Sequence, residues 1–335
     1  MNSALLNPLE YRLLNDFQRD FPLCSDPWAQ LGQQLQAPGE LIRTTLHRLC
    51  HTGLVSRVGA VFAPNRLGAS TLAAMAVPET RLAEVAALVS SYPGINHNYQ
   101  REHRYNLWFV ASSRDQTRLA QLLAELGQRT GCPPIALPLE EEFHIDLGFD
   151  LARGTRHRPP PGPPSGAPRT YLTPADWALV TALHEGLPWV ARPYHALAQR
   201  CGLSEHQVLA RLAAWQGNRL MRRFGVIVQH RPLGYRANGM AVWALPPAEA
   251  SRLGPQLAAC EGVHLCYRRR PAPDWPYTLY AMLHGQARDE VEARHQALSL
   301  HCELTDYPSA LLFSTTCFKQ CGARYEAPRE PALCL

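Results

Sequence analysis

Lysine is all but missing from this chain: of its 33 basic side chains, Lys319 is the sole ammonium and the rest are arginine. On a surface the exchange is tolerable, so a lysine left behind marks a place suited to a compact or titratable charge. Long apolar runs are also missing, and none reaches the length needed to cross a bilayer. The opening stretch MNSALLNPLEYRLLNDFQRDF has neither the basic head nor the apolar core of a secretory signal. These absences predict a cytoplasmic protein whose ten cysteines are reduced. No Cys-x-x-Cys knuckle occurs, Cys317 and Cys321 being the nearest pair, so neither zinc nor a disulfide is expected. No redox motif or Gly-rich nucleotide loop occurs either.

What is present is an ordinary globular balance, 46% hydrophobic and 18% charged. That length and balance suffice for two or more domains with their own cores. A net charge of +5 favours an anionic partner without naming one. The segment 153–169, RGTRHRPPPGPPSGAPR, has six prolines and no large apolar side chain, which predicts a semi-rigid tether.

The tether divides two copies of one unit. Arg57-Val58-Gly59-Ala60-Val61-Phe62 recurs as Arg223-Phe224-Gly225-Val226-Ile227-Val228, and Leu67-Gly68 as Leu233-Gly234. Gly94-Ile95 with Tyr99 answers Gly262-Val263 with Tyr267; Tyr105-Asn106-Leu107-Trp108 answers Tyr277-Thr278-Leu279-Tyr280; Phe143-His144 answers Phe318-Lys319. Matches in this order at near-constant spacing are a duplication.

Each copy opens with helical periodicity: Leu9, Leu13, Leu14 and Phe17 on one face, then Trp177, Val180, Leu183 and His184. A third helix is expected at 40–50 in the first copy and from Ser204, as N-cap, to about Trp215 in the second. A strand ending in Arg-x-Gly follows, which completes a winged helix-turn-helix. The remainder reads β-α-β-β-α-β: a strand at 71–77, a helix at 81–90, strands at 96–101 and 105–111, a helix at 117–129 and a last strand near 135–139. The domain boundaries follow as 1–62 and 63–152, the linker 153–169, then 170–228 and 229–326, with a tail at 327–335. The fold class is α+β, two tandem units, each a winged helix-turn-helix plus a ferredoxin-like βαββαβ domain. This order, with Gly-Ala-Val-Phe at the junction, resembles the Lrp/AsnC family across both halves.

That resemblance implies DNA as a partner, but the expected recognition helices supply little to read it with. The first offers Arg43, His47 and Arg48; the second, SEHQVLARLAAWQG, offers Gln207 and Arg211 among apolar residues. Fold alone does not settle function. The hairpins are more informative. The first reads His97-Asn98-Tyr99-Gln100-Arg101-Glu102-His103-Arg104-Tyr105-Asn106-Leu107-Trp108-Phe109; the second has His264-Leu265-Cys266-Tyr267-Arg268-Arg269-Arg270 and then Asp274-Trp275-Pro276-Tyr277. A plain strand pair alternates apolar with polar, whereas these are dense in His, Arg and Tyr.

Together with Phe318-Lys319, these hairpins resemble the paired subunits of siroheme decarboxylase, here fused into one chain. The resemblance implies loss of the two acetate carboxylates on rings C and D of siroheme, in haem d1 or alternative haem synthesis, giving 12,18-didecarboxysiroheme. It implies siroheme as the small-molecule partner and an intrachain pseudo-dimer, with a higher oligomer left open. No cofactor beyond the substrate is expected. The implied catalytic candidates are His97, Tyr99, His103, Tyr105, His264, Tyr267 and Lys319. Arg57, Arg101, Arg104, His144, Arg223, Arg268, Arg269 and Arg270 are the candidates for gripping carboxylates, a task suited to the bidentate guanidinium. A positioned acid is the main chemical requirement, and a histidine is equally a candidate axial ligand to the substrate's iron. The remaining alternatives are a haem-responsive regulator and a carrier without turnover. His47, His51, His184, His206, His295 and His301 fall on helical stretches and are read as structural.

Overall fold

The computed structural model describes residues 6–145, 172–229 and 237–324. The Pro-rich tether, the Leu233-Gly234 repeat and the tail at 327–335 lie outside the described residues. The first half runs α1 (Pro8–Asp16), α2 (Pro27–Leu35), α3 (Gly39–His51), β1 (Val55–Phe62), β2 (Ala69–Met75), α4 (Leu82–Ser91), β3 (Ile95–Arg101), β4 (Leu107–Ser113), α5 (Gln116–Thr130), β5 (Ile135–Leu137) and β6 (Leu139–Ile145). The second repeats it as α6 (Pro174–Ala182), α7 (Pro193–Cys201), α8 (Glu205–Gly217), β7 (Met221–Val228), β8 (Ala237–Trp243), α9 (Pro247–Ala259), β9 (Val263–Arg269), β10 (Leu279–Gly285), α10 (Arg288–His301) and β11 (Ser309–Gln320).

Local chemistry sets the helix starts. Asn7 with Glu10, Thr173 with Asp176 and Ser204 with Gln207 each close a capping box ahead of α1, α6 and α8. Proline at the first turn of α1, α2, α6 and α7 preorganises the backbone there. Helices α5 and α7 stop at Gly131 and Gly202, both left-handed.

Two expectations are corrected by the pairing of the strands. Each half was expected to form its own wing, yet β1 and β7 pair with each other, antiparallel, with Gly59 opposite Gly225. One ribbon therefore serves both helix-turn-helix units, and Leu13, Leu31, Val58, Leu179, Tyr194 and Phe224 belong to a single buried cluster spanning both. The last strand of each ferredoxin-like domain was also expected to finish its own sheet. It does so only in part. Chain 135–137 pairs with β2 of its own half, but β6 then lies against β9 of the other. Likewise 309–313 pairs with β8, and the rest of β11 runs along β3 of the first half.

The result is a nine-stranded sheet ordered β5-β2-β4-β3-β11-β8-β10-β9-β6, whose two edges are consecutive in sequence. Its outer faces carry α4 and α5 in one half and α9 and α10 in the other, each over an apolar cluster of its own. A third cluster is shared between the halves, with Trp108 and Tyr105 from the first and Tyr267, Trp275 and Tyr280 from the second. No helix among the described residues is long and apolar enough to cross a membrane.

Candidate active site

The structure sorts the sequence candidates into three places. The first lies where the ribbon meets β3. Residues at positions i and i+2 of a strand share a face, and the rings of His97 and Tyr99 stack 6.3 Å apart at 24°. A register shift between Ile95 and His97 interrupts the β3–β4 pairing just before them. Asn96 beside them donates to Ser112 Oγ and lies 3.2 Å from His97 Nδ1.

Arg57 of β1 approaches this corner. Its Nη2 donates to Ala60 O at 3.2 Å, and among the described residues it makes no ion pair. Two close backbone approaches hold it. The backbone at 322, in the second half, lies on the guanidinium, because a Cβ at Gly322 would fall 2.8 Å from Nη2. Cys321 N anchors that stretch on Asn96 O at 2.8 Å. On the other side Gly186 adopts φ +86°, and a Cβ there would sit 2.6 Å from Val58 O and 2.8 Å from Arg57 Cβ. Glycine meets both demands, positive φ and close approach. Its neighbour Leu187 N donates to Val58 O at 2.7 Å.

Electrostatically the corner disfavours additional positive charge. Burial, opposed by Cys321, lowers the pKa of Arg57. Burial and then the Arg57 charge push His97 down to about 4. The same two causes, with Arg324 adding and Glu185 opposing, push His184 down to about 4. His184, read from sequence as a helix residue, lies just past α6, two residues before the Gly186 that packs on Arg57. A signal for it existed in the duplication: at the constant offset of the first helices its counterpart is Gln18, so the position is one where the copies differ.

The second place is the shared interior and its mouth. Tyr105 and Tyr267 are both buried there. His103 stacks on Tyr105 and stands edge-on to Trp275 at 5.1 Å. Burial and the Arg104 charge hold the imidazole of His103 below its usual range. Arg104 is exposed and lies 3.9 Å from Asp274 across the halves. Arg269 lies 4.5 Å over the Tyr267 ring, its Nη1 on Leu137 O, and its buried Nε has no partner among the described residues.

The third place is the outer faces. Lys319 points away from His97, because its Nζ donates to Ser90 O at 2.7 Å and Tyr92 O at 3.0 Å, the carbonyls ending α4. Asn98, opposite Lys319 in register, also faces α4 through Ala86 O and Ser90 Oγ. His144, the counterpart of Lys319, is buried on β6 opposite Cys266. His264 is buried with its Nδ1 3.2 Å from that of His284, and His284 Nε2 meets Asn238 at 3.0 Å. His284 was not singled out in the sequence; in the first half this pair is replaced by Asn96 and Ser112.

The arginines do not converge. Arg101 donates to Leu312 O and Arg269 to Leu137 O, the same bond made in opposite directions between the halves. Arg223 is buried and donates to Gln18 O. Arg268 binds Glu140 and Glu141, and Arg270 shares Glu140. Most of the expected carboxylate grips are occupied by the protein's own acceptors.

These features define a tandem of ligand-binding domains of the AsnC type. The profile of the AsnC-like ligand binding domain matches residues 66–144 and 232–319, and that of the siroheme decarboxylase NirDL-like HTH domain matches 176–222. The chain is 44% identical to the siroheme decarboxylase NirDL subunit of Paracoccus pantotrophus over 95% of its length and 97% of that protein. It is 30% identical to the siroheme decarboxylase of Hydrogenobacter thermophilus, covering 94% of each. A crystal structure of the siroheme decarboxylase NirDL superposes with a TM-score of 0.71 at 27% identity, covering 96% of this chain and 95% of that one. A second, in complex with an iron-uroporphyrin III analogue, gives 0.69 at 27% identity with 92% of each covered. The chain belongs to the siroheme decarboxylase family.

Proposed function

We propose that this chain decarboxylates siroheme, removing the acetate carboxylates of rings C and D to leave methyl groups, and that the corner around Arg57, His97 and Tyr99 receives the reacting part of the substrate. The observation that carries this reading is end-to-end similarity to relatives bearing that name, both halves included. Each acetate leaves as CO2, and the methyl that replaces it takes up one proton. The two losses therefore consume two protons and require no oxidant or reductant.

The corner suits that balance. Arg57 is a half-buried cation without an ion pair among the described residues, so an entering carboxylate meets a donor whose charge is only partly screened by water. His97 is neutral near pH 7, which suits it to ligate the substrate's iron or accept a proton. A carboxylate placed beside it favours the imidazolium, so substrate entry itself raises the capacity of His97 to deliver a proton. We assign no cofactor beyond the substrate.

Anaerobic incubation of the purified chain with siroheme, followed by absorbance and mass, tests the reading. Loss of two CO2 per macrocycle is expected. A bound but unchanged macrocycle would leave a carrier, and no binding at all would remove the proposal.

A further inference from the structure

The two halves present corresponding corners, and comparing them isolates one residue. Phe21 N donates to Phe224 O as Leu187 N donates to Val58 O, so the loop after the first helix of each half docks on the other half's ribbon strand in the same way. Gly59 and Gly225, Arg57 and Arg223, and Asp20 and Gly186 correspond; both members of the last pair have positive φ. In this frame Gln18 corresponds to His184, and Leu265 to His97.

The surroundings of the two arginines differ accordingly. Arg223 directs Nη1 to Gln18 O at 2.7 Å, and the Gln18 amide turns back to Leu14 O at 2.8 Å. Among the described residues Arg57 donates only to Ala60 O, at 3.2 Å. The loop that follows His184 packs on the stem of Arg57, where a Cβ at Gly186 would fall 2.8 Å from Arg57 Cβ, and the Cys321-Gly322 stretch joins the guanidinium to Asn96, the neighbour of His97. The Arg57 charge lowers the pKa of both His97 and His184. The charged groups acting on His184 are Arg57, Arg324 and Glu185, and on His97, Arg57.

We propose that His184 is a substrate-contacting residue: with Arg57 and His97 it receives one carboxylate of the macrocycle, so the site is completed by both halves. This rests on the proposed siroheme chemistry. A carboxylate on Arg57 cancels the charge that both imidazoles share, and either can then hold the proton that the departing CO2 leaves to be supplied. Two imidazoles near one guanidinium give the proton two entry points, whereas glutamine and leucine stand at the corresponding positions of the other half.

The test is His184→Gln, which installs the side chain carried at the corresponding position and so is compatible with this fold. His184→Asn is the second variant and His206→Gln, on an exposed face of α8, the control. Siroheme turnover and siroheme binding, by absorbance titration, are read for each. The expected result is a fall in kcat of about 10²-fold or more for both His184 variants, or at least tenfold weaker binding, with His206→Gln within twofold of the parent on both readouts. Parent-like kcat and affinity for His184→Gln would overturn the proposal. If the parent protein binds siroheme without releasing CO2, the function assigned above fails, and the binding comparison alone decides the role of His184. Weakened binding supports the contact, and unchanged binding removes it.

Discussion

The indole of Trp275, on the second half's hairpin, lies 4.9 Å from that of Trp108 in the first, at an interplanar angle of 62°. Its Nε1 donates to Tyr280 Oη at 2.7 Å, and it also stands edge-on to Tyr105 and His103. Trp275 is 1% exposed, so it is a wedge between the halves as well as part of the shared interior. Trp275→Ala should cost about 3–5 kcal/mol by the general cost of emptying such a site. Denaturant unfolding followed by far-UV circular dichroism checks this. A loss below about 1 kcal/mol would mean that the two hairpins do not depend on each other.

Stability should also fall in acid through a defined window. His97 and His184 titrate at about 4 in the folded chain and at the ordinary 6.5 when unfolded. Between those values the unfolded state binds more protons, so stability present above about 6.5 is lost as the pH falls toward 4, and the loss levels off below it. Each histidine replaced by glutamine should remove up to about one proton from the slope of stability against pH. Melting temperatures of the parent and the double variant across pH 4–7 read the effect, and identical slopes would contradict it.

The single lysine has a structural reading with its own consequence. The Lys319 ammonium bonds two carbonyls at the end of α4, where a compact cation with three donors fits and also meets the negative end of the helix. Burial lowers its pKa, with Cys321 opposing and Arg324 adding. Lys319→Met should destabilise the fold by about 1.5–3 kcal/mol, the range for charge-assisted hydrogen bonds. Lys319→Arg should recover part of this if charge is what matters, and none if the geometry of the two carbonyls decides. Thermal unfolding of the two variants separates these outcomes.

The legible part of the structure was that written locally. The N-cap Ser204 placed the start of α8, and matched pairs such as Gly59 and Gly225 exposed the duplication. The partner of a strand is not written locally. Nothing in LEEEFHI says that it crosses to β9 rather than staying on β2, because alternation fixes faces and not neighbours. The site suffered from the same gap. Arg57, His97 and Tyr99 stood out in the sequence as residue types in unusual company, whereas His184 drew notice only in the fold, where the loop that follows it docks on β1 of the other half. The arginines of the second hairpin were legible as charge and not as partners, because Glu140 and Glu141 lie on a strand from the opposite half.

The helix-turn-helix units lead to the last prediction, which concerns DNA. A reading helix must leave its polar side chains free to meet bases and phosphates. On α8, Arg211 is tied to Asp176 at 2.8 Å, and Gln207 caps its own helix through Ser204 N. On α3, Arg43 binds Glu40 and Trp189 O, Arg48 pairs with Glu10, and His47 packs on the Trp189 ring at 5.4 Å. Trp189 also stacks on Trp28, so the second half's loop covers part of the first half's reading helix. Freeing these groups would expose more of Trp189 and take from Asp176 and Glu10 their arginine partners, a cost any duplex would have to offset. Binding to duplex DNA should therefore stay in the non-specific range, on the order of 10⁻⁴–10⁻⁶ M near physiological salt, with no preferred sequence. Fluorescence anisotropy with random and upstream-region duplexes between 50 and 200 mM salt measures this directly. Nanomolar binding to one duplex, with a salt slope reflecting six or more phosphate contacts, would show that the two units open to read DNA.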